Sequence, residues 1–283
     1  MVAAARAMET HRHDSLAQDH FAEHLVRAAG GAAHWPLRIE DAQDGDANPL
    51  WGRMGRYFGL RTRVFDDFLL RSAHAGASQI VLLGAGLDSR AFRLDWPGDS
   101  VVFELDQHDV MSFKQRVFDD LRATPKAARR PIAVDLRDDW VPALLAAGYD
   151  ATRPATWLAE GVLLYLPSAA ERYLIAAVDR LAARGSALAY EIKLSPESSA
   201  VQNSPIYTAT KQQIGIDLLA MFPIEPRPDS AADLTAHGWS TSTHTAFDFT
   251  RRHGRGPLPA HPDALAANRW VFADRPRPRP PSP

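Results

Sequence analysis

Four short apolar runs of the sequence each end in residues able to grip a polar ligand. Those ends are Gly84-Ala85-Gly86, Asp106, Asp135 and Glu160. A glycine turn after a strand lets the backbone come close to a ligand, and an acid roughly 20 residues further on can accept hydrogen bonds from a ribose diol. Asp106 lies 20 residues after Gly86. The dinucleotide fingerprint G-x-G-x-x-G also needs a third glycine for close helix packing over a pyrophosphate. Ser89 stands at that position, and Asp88 puts a negative charge where the phosphates would lie. No Gly-Lys-Ser/Thr follows, so the turn is not a phosphate-cradling P-loop either.

A glycine turn, a ribose acid and no phosphate site together describe S-adenosylmethionine. The amino-acid end of that molecule needs a carboxylate for its ammonium and a cation for its carboxylate. Glu160 is the candidate for the first and Arg61 for the second, because Arg meets a carboxylate in bidentate geometry. Arg56 and Arg63 are close enough in sequence to compete with Arg61. Ala85, Asp88 and Gln107 adjoin these positions and join the expected cofactor set. If the partner molecule offers a hydroxyl, a general base helps; His108, Glu191 and His244 are the candidates. Tyr165 is expected to line the acceptor space, with Lys193 and Tyr207 behind it. An NAD-dependent oxidoreductase and a non-catalytic binding module are the readings from other classes.

The elements that must position these residues alternate. QIVLL (79–83), VVFEL (101–105), PIAV (131–134), TWLAE (156–160) and SALAYEI (186–192) read as strands. Between them come helical patterns. One starts near Asp109 with Val110, Phe113, Val117 and Leu121 on a face. Another, through Leu145, is capped by Asp138 or Asp139. A third carries a Ser168/Glu171 capping box and runs to Leu181. Before the first strand, Val64, Phe65, Phe68 and Leu69 mark a helix led by Arg61. Such alternation predicts an α/β fold with a mostly parallel sheet and helices on both faces. Ligands of such sheets sit beyond the carboxyl ends of the strands, where the four candidate ends lie.

Residues 1–60 read as a helical lid, broken near Gly30-Gly31, Pro36 and the DAQDGDANP loop. Residues 61–274 form the binding domain. It carries a lid insertion at about 194–233, with an amphipathic helix near Ile214, Leu218 and Met221. RPRPRPPSP (275–283) reads as a disordered tail.

Composition narrows the class further. The chain has 283 residues, a formal net charge of -2 and no cysteine. That balance favours neither nucleic acid nor an anionic membrane, and it excludes disulfides and thiolate chemistry. The scattered histidines show no metal-ligand spacing, so no metal is expected. No apolar run approaches the roughly 20 residues that span a bilayer, and the N-terminus lacks a secretory signal pattern. A cytoplasmic protein is the expectation.

The strings LGAGLDSRAFRL, VFELDQHDV, VDLRDDW and WLAEGVLLYL, with AAARAMETHRHDSLAQDHFA and RTRVFDD upstream, resemble the leucine carboxyl methyltransferase family. The likeness spans about residues 3 to 192, and it is nearer the bacterial polyketide O-methyltransferase branch than the phosphatase carboxyl methyltransferases. It implies a Rossmann-like class I methyltransferase fold with a seven-stranded sheet and a helical lid. It also implies an S-adenosylmethionine-dependent O-methyltransferase acting on a small molecule, with a protein carboxyl terminus as the alternative acceptor. By match to the family strings, Gly84 and Gly86 pass under the amino-acid part of the cofactor, and Asp106 holds the ribose. Asp135 and Leu136 meet the adenine, Glu160 the ammonium and Arg61 the carboxylate. Where family members often show Asp-Pro, this chain has Asp19-His20.

Overall fold

The computed structural model describes residues 1–277 apart from 196 and 262. One seven-stranded sheet organises the chain. Its strands are β1 Gln79–Leu83, β2 Val101–Asp106, β3 Ala128–Ala133, β4 Ala155–Ala159, β5 Ala187–Lys193, β6 Ser240–His244 and β7 Asn268–Asp274. Their spatial order is β3-β2-β1-β4-β5-β7-β6. All pairings are parallel except those of β7, which runs antiparallel to β5 and β6. The order reverses between β1 and β4, so the crevice opens there, at the switch point of the sheet. The expected strands are present within a few residues, β3 starting three residues earlier than its apolar run suggested.

Burial explains the strand composition. Every residue of β1, β4 and β5 is buried, because helices cover both faces. The edge strand β3 is largely exposed and tolerates Pro131, which a central strand would not. Helices α1 (Val2–His11), α2 (His20–Ala28) and α3 (Gly55–His74) precede the sheet. Val64, Phe65, Phe68 and Leu69 of α3 are buried as expected. The helix starts six residues before Arg61, however, so it runs unbroken across the anticipated boundary at residue 60. A wide π-turn, Pro49–Met54, leads into it, capped by the Asn48 side chain.

The short α4 (Arg90–Arg93) follows β1, and α5 (His108–Asp120) follows β2. The buried face of α5 is Met111, Lys114, Val117 and Phe118; of the expected stripe Val117 is buried, Phe113 and Leu121 pack half-buried against the core, and the face is rotated slightly toward Lys114. The rotation has a cause. Lys114 goes fully inward to Glu104 (2.9 Å) and the Asp88 carbonyl (3.2 Å), and Arg129 closes the other side of Glu104. Helix α6 (Val141–Ala146) has no side-chain cap, because Asp139 accepts from the Tyr173 hydroxyl instead. Helix α7 (Ser168–Leu181) lacks the expected capping box. Its Glu171 is drawn inward to Arg227, and the Ser168 amide donates to Glu225.

Beyond β5 come α8 (Ser199–Gln202), α9 (Pro205–Ile214), α10 (Leu218–Met221), α11 (Ser230–Ala236) and α12 (Ala246–His253). Gly215, with φ +72°, breaks the anticipated 214–221 helix into two and leaves Met221 half exposed. The C-terminal segment stays packed to Arg277, because Arg275 ties to Asp179 and the Ala182 carbonyl, and Arg277 to the Ala75 carbonyl. The expected disordered tail therefore does not begin at 275; its residues 278–283 lie outside the described residues. Two apolar layers complete the fold. Trp157, Phe103 and Leu188 pack under α6, α7 and α11 on one face. Ile80, Leu82 and Val102 pack under α3, α5 and α12 on the other.

Candidate active site

A cavity of about 460 Å³ opens over the carboxyl ends of β1, β4 and β5, roofed by α1, α3 and α9. That volume is within the range of small-molecule sites. The charged side chains lining it are Arg6, Arg61, Lys193, Asp88, Glu160 and Glu191. Three cations face three acids, a balance suited to a zwitterion.

The glycine turn forms the floor. Gly84 has φ +69°, and a Cβ there would stand 2.8 Å from Val162 Cγ2. Both the backbone twist and the close approach of the β4 loop require glycine. Gly86 is also left-handed, at φ +48°. Its amide donates to Asp106 Oδ2 at 2.6 Å, which ties the turn to the end of β2.

Glu160 stands at the end of β4 between two guanidinium groups. Oε1 lies 2.9 Å from Arg61 Nε and Oε2 2.7 Å from Arg90 Nη1. Neither oxygen is met along a hydrogen-bond direction. The carboxylate is thus held by charge rather than by directed hydrogen bonds, in the wall of the cavity. Burial pushes its carboxyl up, but Arg90 and Arg61 outweigh that and hold it below the usual range. Asp88 behaves alike. Burial opposes its ionisation, yet Arg90 and Arg6 bring it to about 2. Arg90 organises this cluster, also meeting Asp66 at 2.6 Å.

Arg61 reaches the cavity from α3 and donates to Glu191 Oε2 at 2.5 Å. Arg56 and Arg63 do not compete: Arg56 pairs with Asp46 (2.7 Å) and Arg63 with Asp67 (2.9 Å), both away from the cavity. Glu191 has both oxygens engaged, since the Tyr57 hydroxyl donates to Oε1. Tyr57 in turn accepts from Trp270 Nε1 (3.1 Å) and Asn268 Nδ2 (3.3 Å). Burial, then the Glu191 charge, pushes the Tyr57 hydroxyl well up, so it stays a donor. Tyr165 lines the same space and stacks on Phe222 at 5.7 Å. Its hydroxyl is also pushed up, by burial and then by Glu191.

The other expected residues form an open shelf beside the cavity. Asp106, Gln107, Asp135 and Leu136 lie along the tips of β2 and β3 and do not line the enclosed space. A hydrogen-bond chain joins the first three, while the Leu136 side chain is buried in the core beneath them. Gln107 N donates to Asp106 Oδ1 (2.7 Å) and Gln107 Nε2 to Asp135 Oδ2 (3.2 Å). Asp106 thereby uses two of the four or so lone-pair sites a carboxylate offers. Arg137 holds Asp135 through its side chain and backbone and depresses its carboxyl strongly. Two expected base positions need correction. His108 is exposed at the start of α5 beside Asp109, and His244 packs against Phe249 and Phe272 on β6. Neither lines the cavity. The first points outward because it opens a helix; the second sits on an edge strand remote from the switch point.

Sequence reasoning missed Arg6, Arg90 and Phe222. The signal for Arg6 was a lone charge in the apolar stretch VAAARAM. It donates to the Leu87 carbonyl at 2.5 Å and meets Asp19 at 3.0 Å. Asp19 also caps α2 by accepting from the Phe21 and Ala22 amides. His20 therefore only opens that helix, and the capped turn forms without proline at this position.

A sheet in this order, with a phosphate-free glycine turn and a buried carboxylate–guanidinium pair beside it, defines the class of S-adenosylmethionine-dependent methyltransferases. The leucine carboxyl methyltransferase profile matches residues 1–179. A candidate S-adenosyl-L-methionine-dependent methyltransferase of Streptomyces coelicolor is 64% identical over 279 residues, covering 98% of this chain and 92% of its own. A similar candidate from Rhodococcus jostii is 42% identical, over 93% of this chain and 88% of its own. The chain belongs to the leucine carboxyl methyltransferase family. In three dimensions it resembles a candidate methyltransferase from Thermobifida fusca, with TM-score 0.54, 17% identity and coverage of 90% and 94%. That likeness concerns the fold. Among the described residues no helix is long and apolar enough to cross a membrane.

Proposed function

We propose that the protein transfers a methyl group from S-adenosylmethionine to a carboxylate oxygen of a small molecule in the cytoplasm, as a step of secondary metabolism. The choice of acceptor rests on the side chains around the cavity, none of which, among the described residues, offers a free carboxylate or imidazole base. Among the described residues no histidine lines it. Glu191 is bound by Arg61 and Tyr57, Glu160 lies between Arg61 and Arg90, and Lys193 is paired with Glu197. A carboxylate needs no base, being ionised at pH 7. A phenol or alcohol would need Glu191 freed from both partners.

In this reading Glu160 takes the cofactor ammonium through its negative charge in the cavity wall. Arg61, with Arg6 opposite, takes the cofactor carboxylate, and the turn at Gly84-Ala85-Gly86 lies beneath. Asp88 keeps Arg90 oriented toward Glu160. Asp106 meets the ribose with its two remaining lone pairs, and Gln107, Asp135 and Leu136 border the adenine. The bound cofactor supplies an electrophilic methyl group. The protein supplies alignment and exclusion of water, which can account for effective molarities on the order of 10⁵ M or more. Tyr165 borders the acceptor and orients it.

Transfer of a labelled methyl group to a panel of carboxylates and phenols tests the proposal. Mild alkali releases label from a methyl ester and leaves a methyl ether intact. Alkali-labile product is the expected result; alkali-stable product only would overturn the carboxylate assignment.

A further inference from the structure

A second cavity of about 180 Å³ lies beside the first. Leu164, Lys193 and Phe222 line both, so these side chains are the partition. The partition is made of side chains alone. Lys193 Nζ stands 4.3 Å from the centre of the Phe222 ring. It pairs with Glu197, which also accepts from the Tyr207 hydroxyl.

Most polar groups around the second cavity are already spent on one another. Arg227 donates to the Leu163 and Leu166 carbonyls and pairs with Glu171. Glu225 accepts from the Ser168 amide. Glu197 is held by Lys193 and Tyr207. What this leaves for a ligand is the apolar surface of Leu164, Leu219, Phe222, Pro223 and Ile224. Ile224 is 92% exposed, so this apolar lining continues to the protein surface.

We propose that the acceptor is an amphiphile, with its carboxylate in the main cavity and an apolar chain or ring system running past Phe222 into the second cavity. This rests on the reading above, in that the carboxylate end is taken to be the methylated one. Lys193, at the partition, is neutralised by Glu197, so the passage between the cavities carries no net charge against an apolar tail. Leu219 and Ile224, which line only the second cavity, set the preferred length.

The test measures binding of straight-chain carboxylates, from propionate to palmitate, and of para-alkylphenols to the complex with S-adenosylhomocysteine. Affinity for the carboxylates should rise by about fourfold per methylene, the fold-change matching ~0.8 kcal/mol for each CH₂ removed from water. The rise should continue beyond the length that fills the main cavity. Leu219→Trp fills the second cavity and should cancel the gain for long chains only. Ile224→Asp, at a position that is 92% exposed, should weaken the longest chains by several-fold. S-adenosylhomocysteine affinity should be unchanged in both variants. Affinity independent of length, or a length dependence that both variants retain, overturns the proposal. A length dependence shown by the alkylphenols alone would keep the tail site and overturn the carboxylate head. Failure to bind S-adenosylhomocysteine at all would instead strike the methyltransferase reading.

Discussion

At the scale of single residues, the site depends on charges buried with their partners. Glu160→Gln keeps the shape but removes the charge that an ammonium needs. Hydrogen bonds to charged groups are worth about 1.5–3 kcal/mol, so S-adenosylhomocysteine affinity should fall by roughly 10-fold or more in a calorimetric titration. Asp88 gives a prediction of opposite character, about stability. Its folded pKa is depressed from 3.8 to about 2. Its contribution is therefore complete above pH 3.8 and is lost as pH falls toward 2. On that shift it amounts to about 2 kcal/mol. Urea unfolding should show a loss of stability in that acid window that Asp88→Asn lacks; an equal loss in the variant would remove Asp88 from the account. Activity has its own pH signature. Asp88 and Glu160 are depressed and the Tyr57 and Tyr165 hydroxyls raised. With a carboxylate acceptor, the rate of the bound complex should be flat from about pH 6 to about pH 9. A rising limb inside that range would point to a base and a hydroxyl acceptor.

At the scale of elements, the turn after β1 is the joint on which the site is built. It must hold a left-handed Gly84 against Val162 of the β4 loop. Gly84→Ala should cost about 1–2 kcal/mol for the left-handed backbone alone, plus the clash. Melting should drop by several degrees, with weaker cofactor binding. Val162→Ala in the same protein removes the γ-methyl contacts but leaves its own Cβ 2.9 Å away and does nothing for the twist, so recovery should be partial. Full recovery would mean that backbone conformation matters little there. Helix α3 carries the second joint. It presents Tyr57 and Arg61 one turn apart to Glu191 on β5 and is anchored by Phe65 and Phe68 against Trp270 and Phe272.

At the scale of the whole molecule, much of this was legible in the sequence. The apolar runs of β1, β4 and β5 declare buried parallel strands, and of the first four strand ends the glycine turn and Glu160 line the cavity while Asp106 and Asp135 stand on the shelf beside it. What escaped were choices made in three dimensions. Met111 and Phe118 face inward on α5 because Lys114 seeks Glu104, a pairing no local stripe reveals. Glu171 looked like half of a capping box, yet its partner Arg227 is 56 residues away in the chain. Gly215 cut an apolar pattern that was continuous as a string. Arg6 reaches the cavity from the first helix, far in the chain from the strand ends it joins, so no spacing rule reveals it.

Calorimetric titration of S-adenosylhomocysteine and NAD into the wild-type protein and into Glu160→Gln tests the central claim most directly. The wild type should bind S-adenosylhomocysteine and not NAD, and Glu160→Gln should lose roughly 10-fold or more of that affinity. Binding of NAD instead, or equal affinity for S-adenosylhomocysteine in both proteins, would contradict that claim.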